Sequence, residues 1–297
     1  MHFAIRYLTQ YDYDAEVVDN LNALRVKPHG NGRQRCDEFS VRLTPEVRLH
    51  RHTDYFGTEV VEFEVSRPHR SLTIDVRARV STKASPEPPR ATWEALADPN
   101  YREAAGEFLL QTDDAQDHPA FRELLTTTRA ATSPLAAVML ISELIPDRFE
   151  YRQDATYVDS RILDLLEAGG GVCQDFVHLG LSLLRHHGIA ARYVSGYLFA
   201  AGSGDGQESV EVDTHAWLEA LLPVGERGRD SDPAWVGADP TNSVLAGETH
   251  VKIGHGRHYA DVPPIKGVYR GSASATLDAS VTMTRLERTD PASIARS

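Results

Sequence analysis

The 297-residue sequence predicts an α+β fold with an antiparallel β-sandwich at its N-terminal end. Three observations carry that expectation. The first eighty or so residues alternate apolar and polar side chains in short runs. A proline-rich stretch then interrupts the pattern. Beyond it apolar residues recur at helical spacing, and three more strand-like runs follow.

In order, "RQRCDEFSVRL", "TEVVEFEVS" and "SLTIDVRARVS" read as strands with one solvated face, separated by turn signals such as "HGNG" and "YFGT". "KASPEPPRAT", residues 83–92, has little to bury and reads as a linker, dividing a β-rich region 1–82 from a second unit over 93–297. "PLAAVMLISELIPDRFEY" has helical spacing, with Pro134 suited to a first turn. "DSRILDLLEAGGG" offers Asp159 or Ser160 as an N-cap and glycines as a stop. In "CQDFVHLGLSLLRHHG", Phe176, Val177, Gly180, Leu181 and Leu184 share one helical face, and Gly188 sits where the helix should end. "ARYVSGYLFA", "THAWLEALLP" and "AWVGADP" read as strands, with "VGERGRDSDP" as a polar loop between the last two. "ASATLDASVTMTRLE" reads as another strand, and the last ten residues as a frayed end.

Composition narrows the functional classes. Hydrophobic residues are 41% and charged residues 25% of the chain, ordinary for a globular protein. Thirty-one basic against 43 acidic residues give a net charge of −12, which repels phosphates and argues against a nucleic-acid partner. No apolar run is long enough to span a bilayer, and the N-terminus lacks the pattern of a signal peptide. Cys36 and Cys173, the only cysteines, lie far apart, so reduced thiols and a cytoplasmic location are expected.

Cys173 is the residue on which function turns. It follows three glycines and opens a helix, where unpaired N–H groups and the helix dipole favour a thiolate. Alone, it reads better as a small buried residue. A nucleophilic thiolate needs a base, and the base needs an orienting acceptor. His215 opens one strand and Asp239 closes the next. In an antiparallel hairpin that pairs Glu219 with Trp235, His215 stands directly opposite Asp239, on the same face. Pro240 ends that strand, although "DPTN" is also good turn chemistry.

"GGGVCQDFVHLGLSLLRHHGIAARYVSGY", "DTHAWLEALLP" and "WVGADPTNS" resemble the three signature blocks of the transglutaminase-like superfamily. "GRHYADVPPIKGVYRG" is similar to the C-terminal segment of its bacterial members with a β-rich N-terminal region. His258 stands where that segment usually has an aspartate. The resemblance implies a papain-like α+β core with Cys173 as nucleophile, His215 as general base and acid, and Asp239 orienting the imidazole. It also implies a protein or peptide substrate and a primary amine or water as acceptor, with no cofactor. Oxyanion stabilisation would fall to the Cys173 backbone N–H, with Gln174 a candidate second donor.

Other residues carry weaker signals. Trp217, two residues from His215 on the same strand face, and Trp235, on the strand of Asp239, are candidates to wall a cleft or to pack the core. Asp175 is placed to support the first helical turn. Tyr259 and Asp261 are candidates for the cleft, with ordinary structural roles preferred. His186 and His187 diverge around a helix; His250, His255 and His258 are closer to ligand spacing but read first as surface or loop histidines, with metal the lesser alternative. No metal site is assigned, and no run of carboxylates resembles a calcium loop. Cys36 reads as an inert structural thiol. The same triad serves a cysteine protease, and the fold serves a non-catalytic binding module, though such modules tend to lose the nucleophile. Arylamine N-acetyltransferases carry an arginine where this chain has Gly169. Oligomeric state is left open.

Overall fold

The structure, a computed structural model, describes residues 1–153, 160–200, 209–212, 214–223 and 233–287. Five strands open the chain: β1 (His2–Leu24), β2 (Gln34–Thr44), β3 (His50–Thr53), β4 (Glu59–Val65) and β5 (His69–Thr82). Short helices α1 (Trp93–Leu96), α2 (Pro99–Ala104) and α3 (Gly106–Leu109) lead into α4 (Pro119–Thr128) and α5 (Pro134–Arg148). Next come β6 (Glu150–Tyr151), α6 (Ile162–Ala168), β7 (Gly170–Gly171) and α7 (Cys173–His186). The remainder is β8 (Ala191–Leu198), β9 (Ser209–Val212), β10 (Thr214–Leu222), β11 (Ala234–Asp239), β12 (Val244–Leu245), β13 (His250–Gly256), β14 (Ile265–Arg270) and β15 (Ala275–Arg285).

The N-terminal layer is a curled antiparallel sheet organised around β1. At about 3.3 Å per residue a straight strand of this length would overrun a small domain. It bends instead at irregularities between Asp12 and Val17 and between Val18 and Leu21, with Asp19 at φ 48°. Its first half pairs with β5 and β15, its second with β4 and β14. Alternate side chains, among them Phe3, Ile5 and Tyr7, enter one apolar core with Leu72, Ile74 and Val76 of β5.

Residues 1–82 do not build this layer alone. Strands β9, β14 and β15, from beyond residue 92, join the same sheet. Alternation shows that a run is a strand but not which sheet it enters. A cut at 83–92 would therefore part β1 from two of its partners. The 83–92 stretch has no regular structure but is tied down: Ser85 Oγ donates to the Ala246 carbonyl at 2.7 Å, and Ala91 is buried.

The second sheet is antiparallel, in the order β12-β11-β10-β8-β13. Leu218 and Ala220 of β10 enter a core shared with α4, α5, α6 and α7. Tyr197, Val251 and Ile253 from β8 and β13 belong instead to the core of the N-terminal layer, so this sheet bridges both. The predicted face of α7 is buried, and so are Leu179, Ser182, Leu183 and Arg185. It is a central helix rather than an amphipathic surface one.

Helix α5 begins as expected: Ser133 Oγ accepts the Ala136 N–H at 3.1 Å, with Pro134 next. Helix α6 starts one residue later than expected, with Arg161 at the cap and Asp164 Oδ2 accepting its N–H at 2.7 Å. Asp159, most of the 224–233 loop and the terminal ten residues lie outside the described residues. Among the described residues no helix is long and apolar enough to cross a membrane.

Candidate active site

The glycines before Cys173 have separate causes. Gly169 ends α6 at φ 69°, a left-handed conformation that costs glycine little. A Cβ on Gly171 would lie 2.6 Å from Asp175 Oδ2, so no side chain fits there. That carboxylate accepts the N–H of Val172, the N-cap residue, at 2.8 Å and so closes the first turn. Asp175 is buried in this role. Cys173 is half-buried at the first helical position, and its backbone N–H has no backbone acceptor among the described residues.

His215 Nε2 donates to Asp239 Oδ2 at 2.8 Å. Nδ1 is thereby left for Cys173, with which the ring also interacts. The strand register differs from the expected one. Glu219 pairs with Gly237, and Trp235 with Leu221, a shift of two residues. An even shift keeps side-chain parity, so His215 and Asp239 still share a face but meet diagonally; the register continues to place Asp239 across from Trp217.

Asp239 is fully buried and fully engaged. Oδ2 accepts from His215, from His250 Nε2 at 3.2 Å and from Asn242 Nδ2 at 2.7 Å. Oδ1 accepts the N–H groups of Thr241 at 2.9 Å and Asn242 at 3.2 Å. The turn reading of "DPTN" and the orienting reading of Asp239 describe one arrangement: the turn holds the carboxylate. Burial alone would raise its pKa, but the donors from His215 and His250 hold it well below the carboxylate range. For His215 burial pulls downward; the hydrogen bonds to Asp239 and then Cys173 outweigh it and push the imidazole to about 9.

His250 is the residue the sequence reading missed. It is a buried residue of β13, not a surface or loop histidine. Its Nδ1 accepts the Gly247 N–H at 3.2 Å, which fixes the proton on Nε2, facing Asp239. His215, Asp239 and His250 offer ligand atoms within 4.8 Å of one another, a set able to hold a cation. Metal there would have to displace both Nε2 protons from Asp239.

The remaining candidates are placed as follows. Trp217 is buried, near-stacked on His215 with centroids 6.3 Å apart and edge-on to His250 at 5.3 Å. Trp235 packs edge-on against Phe108 and under the Arg192 guanidinium at 3.8 Å. Gln174 is buried. Asp261 Oδ2 accepts the Arg257 N–H at 2.8 Å, a structural role. Tyr259 donates its backbone N–H to His178 Nε2 at 3.2 Å and packs on Tyr193. Burial, with His258 and Arg185 adding, lowers His178 to about 4. Burial also raises the Tyr193 hydroxyl well above its ordinary value, and the nearby Cys173 adds to it. His186 and His187 bond to different partners, Gln111 and Thr128, and His255 bonds to Arg192. His258 lies 3.9 Å from Asp261. Cys36 Sγ donates to the Glu38 carbonyl, and burial pushes its thiol up.

Comparison with known proteins agrees with this architecture. Residues 3–81 match the bacterial transglutaminase-like N-terminal region, and residues 123–240 match the transglutaminase-like superfamily. An uncharacterized protein of Mycobacterium leprae is 33% identical over 279 residues, covering 94% of this chain and 96% of its own. One of Mycobacterium tuberculosis is 32% identical over 298 residues, covering 96% and 93%. A crystal structure from Cytophaga hutchinsonii, named "Putative Cysteine Protease", superposes with a TM-score of 0.73 at 22% identity, covering 97% of this chain and 92% of its own. With a cysteine at the head of a central helix, a histidine–aspartate pair on adjacent strands and family matches over both the N-terminal region and the core, the chain belongs to the transglutaminase-like superfamily.

Proposed function

We propose that the protein carries out cysteine-dependent acyl transfer or hydrolysis on amide bonds, through a thioester on Cys173. One observation carries the reading: His215 has one ring nitrogen committed to Asp239 and its other left for Cys173. Cys173 Sγ attacks a glutamine carboxamide or peptide carbonyl after His215 Nδ1 takes the thiol proton. His215 then gives that proton to the departing ammonia or amine, and Asp239 keeps Nε2 protonated and oriented. An imidazole pushed to about 9 retains its proton near neutral pH, which suits the acid step. The oxyanion would be met by the Cys173 backbone N–H, a donor of a kind that contributes about 3 kcal/mol. The thioester ends on a primary amine or on water. His250 and the turn over Asp239–Asn242 brace the carboxylate from behind.

A peptidase reading uses the same first half-reaction and is favoured by the name of the Cytophaga hutchinsonii neighbour. Glutaminyl peptides incubated with a labelled primary amine distinguish the outcomes. Label on the peptide marks transfer, and cleaved or deamidated peptide without label marks hydrolysis. Either product should vanish in Cys173→Ala; its persistence there would refute the proposal.

A further inference from the structure

A cavity of about 250 Å3 lies between the second sheet and the loop joining β1 to β2; Trp217 and His250 line it from the side of the candidate site, but neither Cys173 nor His215 does. Its charge is opposite to that of the protein as a whole. Arg33, Lys83, Arg192 and Lys252 line it, and Glu219 is its one described carboxylate, in a chain of net charge −12. Lys252 is buried and Arg192 is largely covered, and the two share a single oxygen. Arg192 Nε and Nη2 and Lys252 Nζ all reach Glu219 Oε2 at 2.6 Å. One carboxylate therefore serves two desolvated cations, which leaves a net positive charge inside the protein. The Arg33 guanidinium and the Lys83 ammonium make no hydrogen bond or ion pair among the described residues, yet the Lys83 N–H donates to the Arg33 carbonyl at 2.8 Å and holds the two together.

The site is built rather than a gap between layers. Gln34 Nε2 donates to the Lys252 carbonyl at 2.7 Å, and its Oε1 accepts the Lys252 N–H at 2.9 Å. The His29 N–H reaches the same carbonyl at 2.8 Å. These bonds pin Arg33 beside Lys252. Trp235 stacks under the Arg192 guanidinium at 3.8 Å and fixes its plane. Burial lowers Lys252 to about 8 despite Glu219, and Arg192 and Arg33 add to the lowering, as expected where like charges crowd.

We infer that this cavity binds a small oxyanion, a carboxylate or phosphate group on a ligand below drug size, between Lys252 and Arg192 on one side and Arg33 and Lys83 on the other. Such a group supplies the negative charge the cluster lacks. The inference does not rest on acyl transfer, because its test reads binding alone.

The experiment is calorimetric titration of inorganic phosphate and, separately, citrate into the full chain at ionic strength held constant with sodium chloride. Saturable binding of at least one anion is expected, and the tighter of the two names the ligand's group. The Arg33→Gln/Lys83→Gln double variant alters side chains that have no partner among the described residues, so it should fold as the wild type does by circular dichroism. It should bind at least roughly tenfold more weakly, as loss of two charge-assisted contacts implies. Cys173→Ala should bind as the wild type does. Absence of saturable binding of both anions overturns the inference, as does equal binding by the double variant or loss of binding in Cys173→Ala.

Discussion

Replacing Asp239 with asparagine keeps the side chain's shape and removes its charge. In the wild type the two carboxylate oxygens accept five donors. Asparagine has one acceptor oxygen. If that oxygen stays on the Thr241 and Asn242 N–H groups, the new amide NH2 faces the donors of His215, His250 and Asn242. Burial, which alone pulls His215 down, then acts without the carboxylate's opposition. With Cys173 left to oppose burial, the His215 pKa should drop from about 9 toward its ordinary 6.5. That fall corresponds to about 3 kcal/mol of interaction between imidazolium and its surroundings. Because the folded pKa is raised, this stability is fully present below pH 6.5, the ordinary value, and is lost as pH rises through about 9. The stability gap between wild type and Asp239→Asn should therefore be larger by about 3 kcal/mol at about pH 6 than at about pH 9.5. Urea unfolding at both values measures it. A gap independent of pH would refute the assignment of His215's proton to the Asp239 carboxylate.

Three further outcomes are expected. His250→Phe removes a donor from a buried carboxylate, should cost about 1–3 kcal/mol, and should shift the pH profile of Cys173 alkylation; His250→Gln, which restores an N–H, should recover much of the profile. Glu219→Gln leaves buried Lys252 and the largely covered Arg192 without their shared carboxylate and should cost about 3–5 kcal/mol in urea unfolding. Gly171→Ala sets a methyl against Asp175 Oδ2, frees the Val172 N–H, and should cost about 1–2 kcal/mol while slowing Cys173 alkylation.

Several of these residues were legible before the fold, and the reasons are specific. Three glycines, a cysteine and an apolar run mark a helix start, and strand alternation sets the parity that places His215 and Asp239 on one face. Parity does not set register: a shift of two residues leaves every apolar side chain on its own face, so Glu219 pairing with Gly237 instead of Trp235 left no trace in the pattern. His250 was hidden for a related reason. Its burial depends on β13 pairing with β8, a long-range contact that no local spacing reports. The return of β14 and β15 to the N-terminal sheet is hidden in the same way, because β1 is paired from more than 240 residues away. The charged cluster behind the sheet combines Arg33, Arg192, Glu219 and Lys252, four residues unremarkable in sequence that only the tertiary fold brings to one cavity.

The chain carries its own control for reactivity, since Cys36 and Cys173 are its only cysteines. Peptide-mapped mass spectrometry during iodoacetamide treatment of the folded protein near neutral pH follows both sulfurs at once. If the imidazole next to Cys173 activates it, Cys173 is labelled well before Cys36, and His215→Ala erases the difference. Equal labelling of the two, or a Cys173 rate untouched by His215→Ala, would contradict the account.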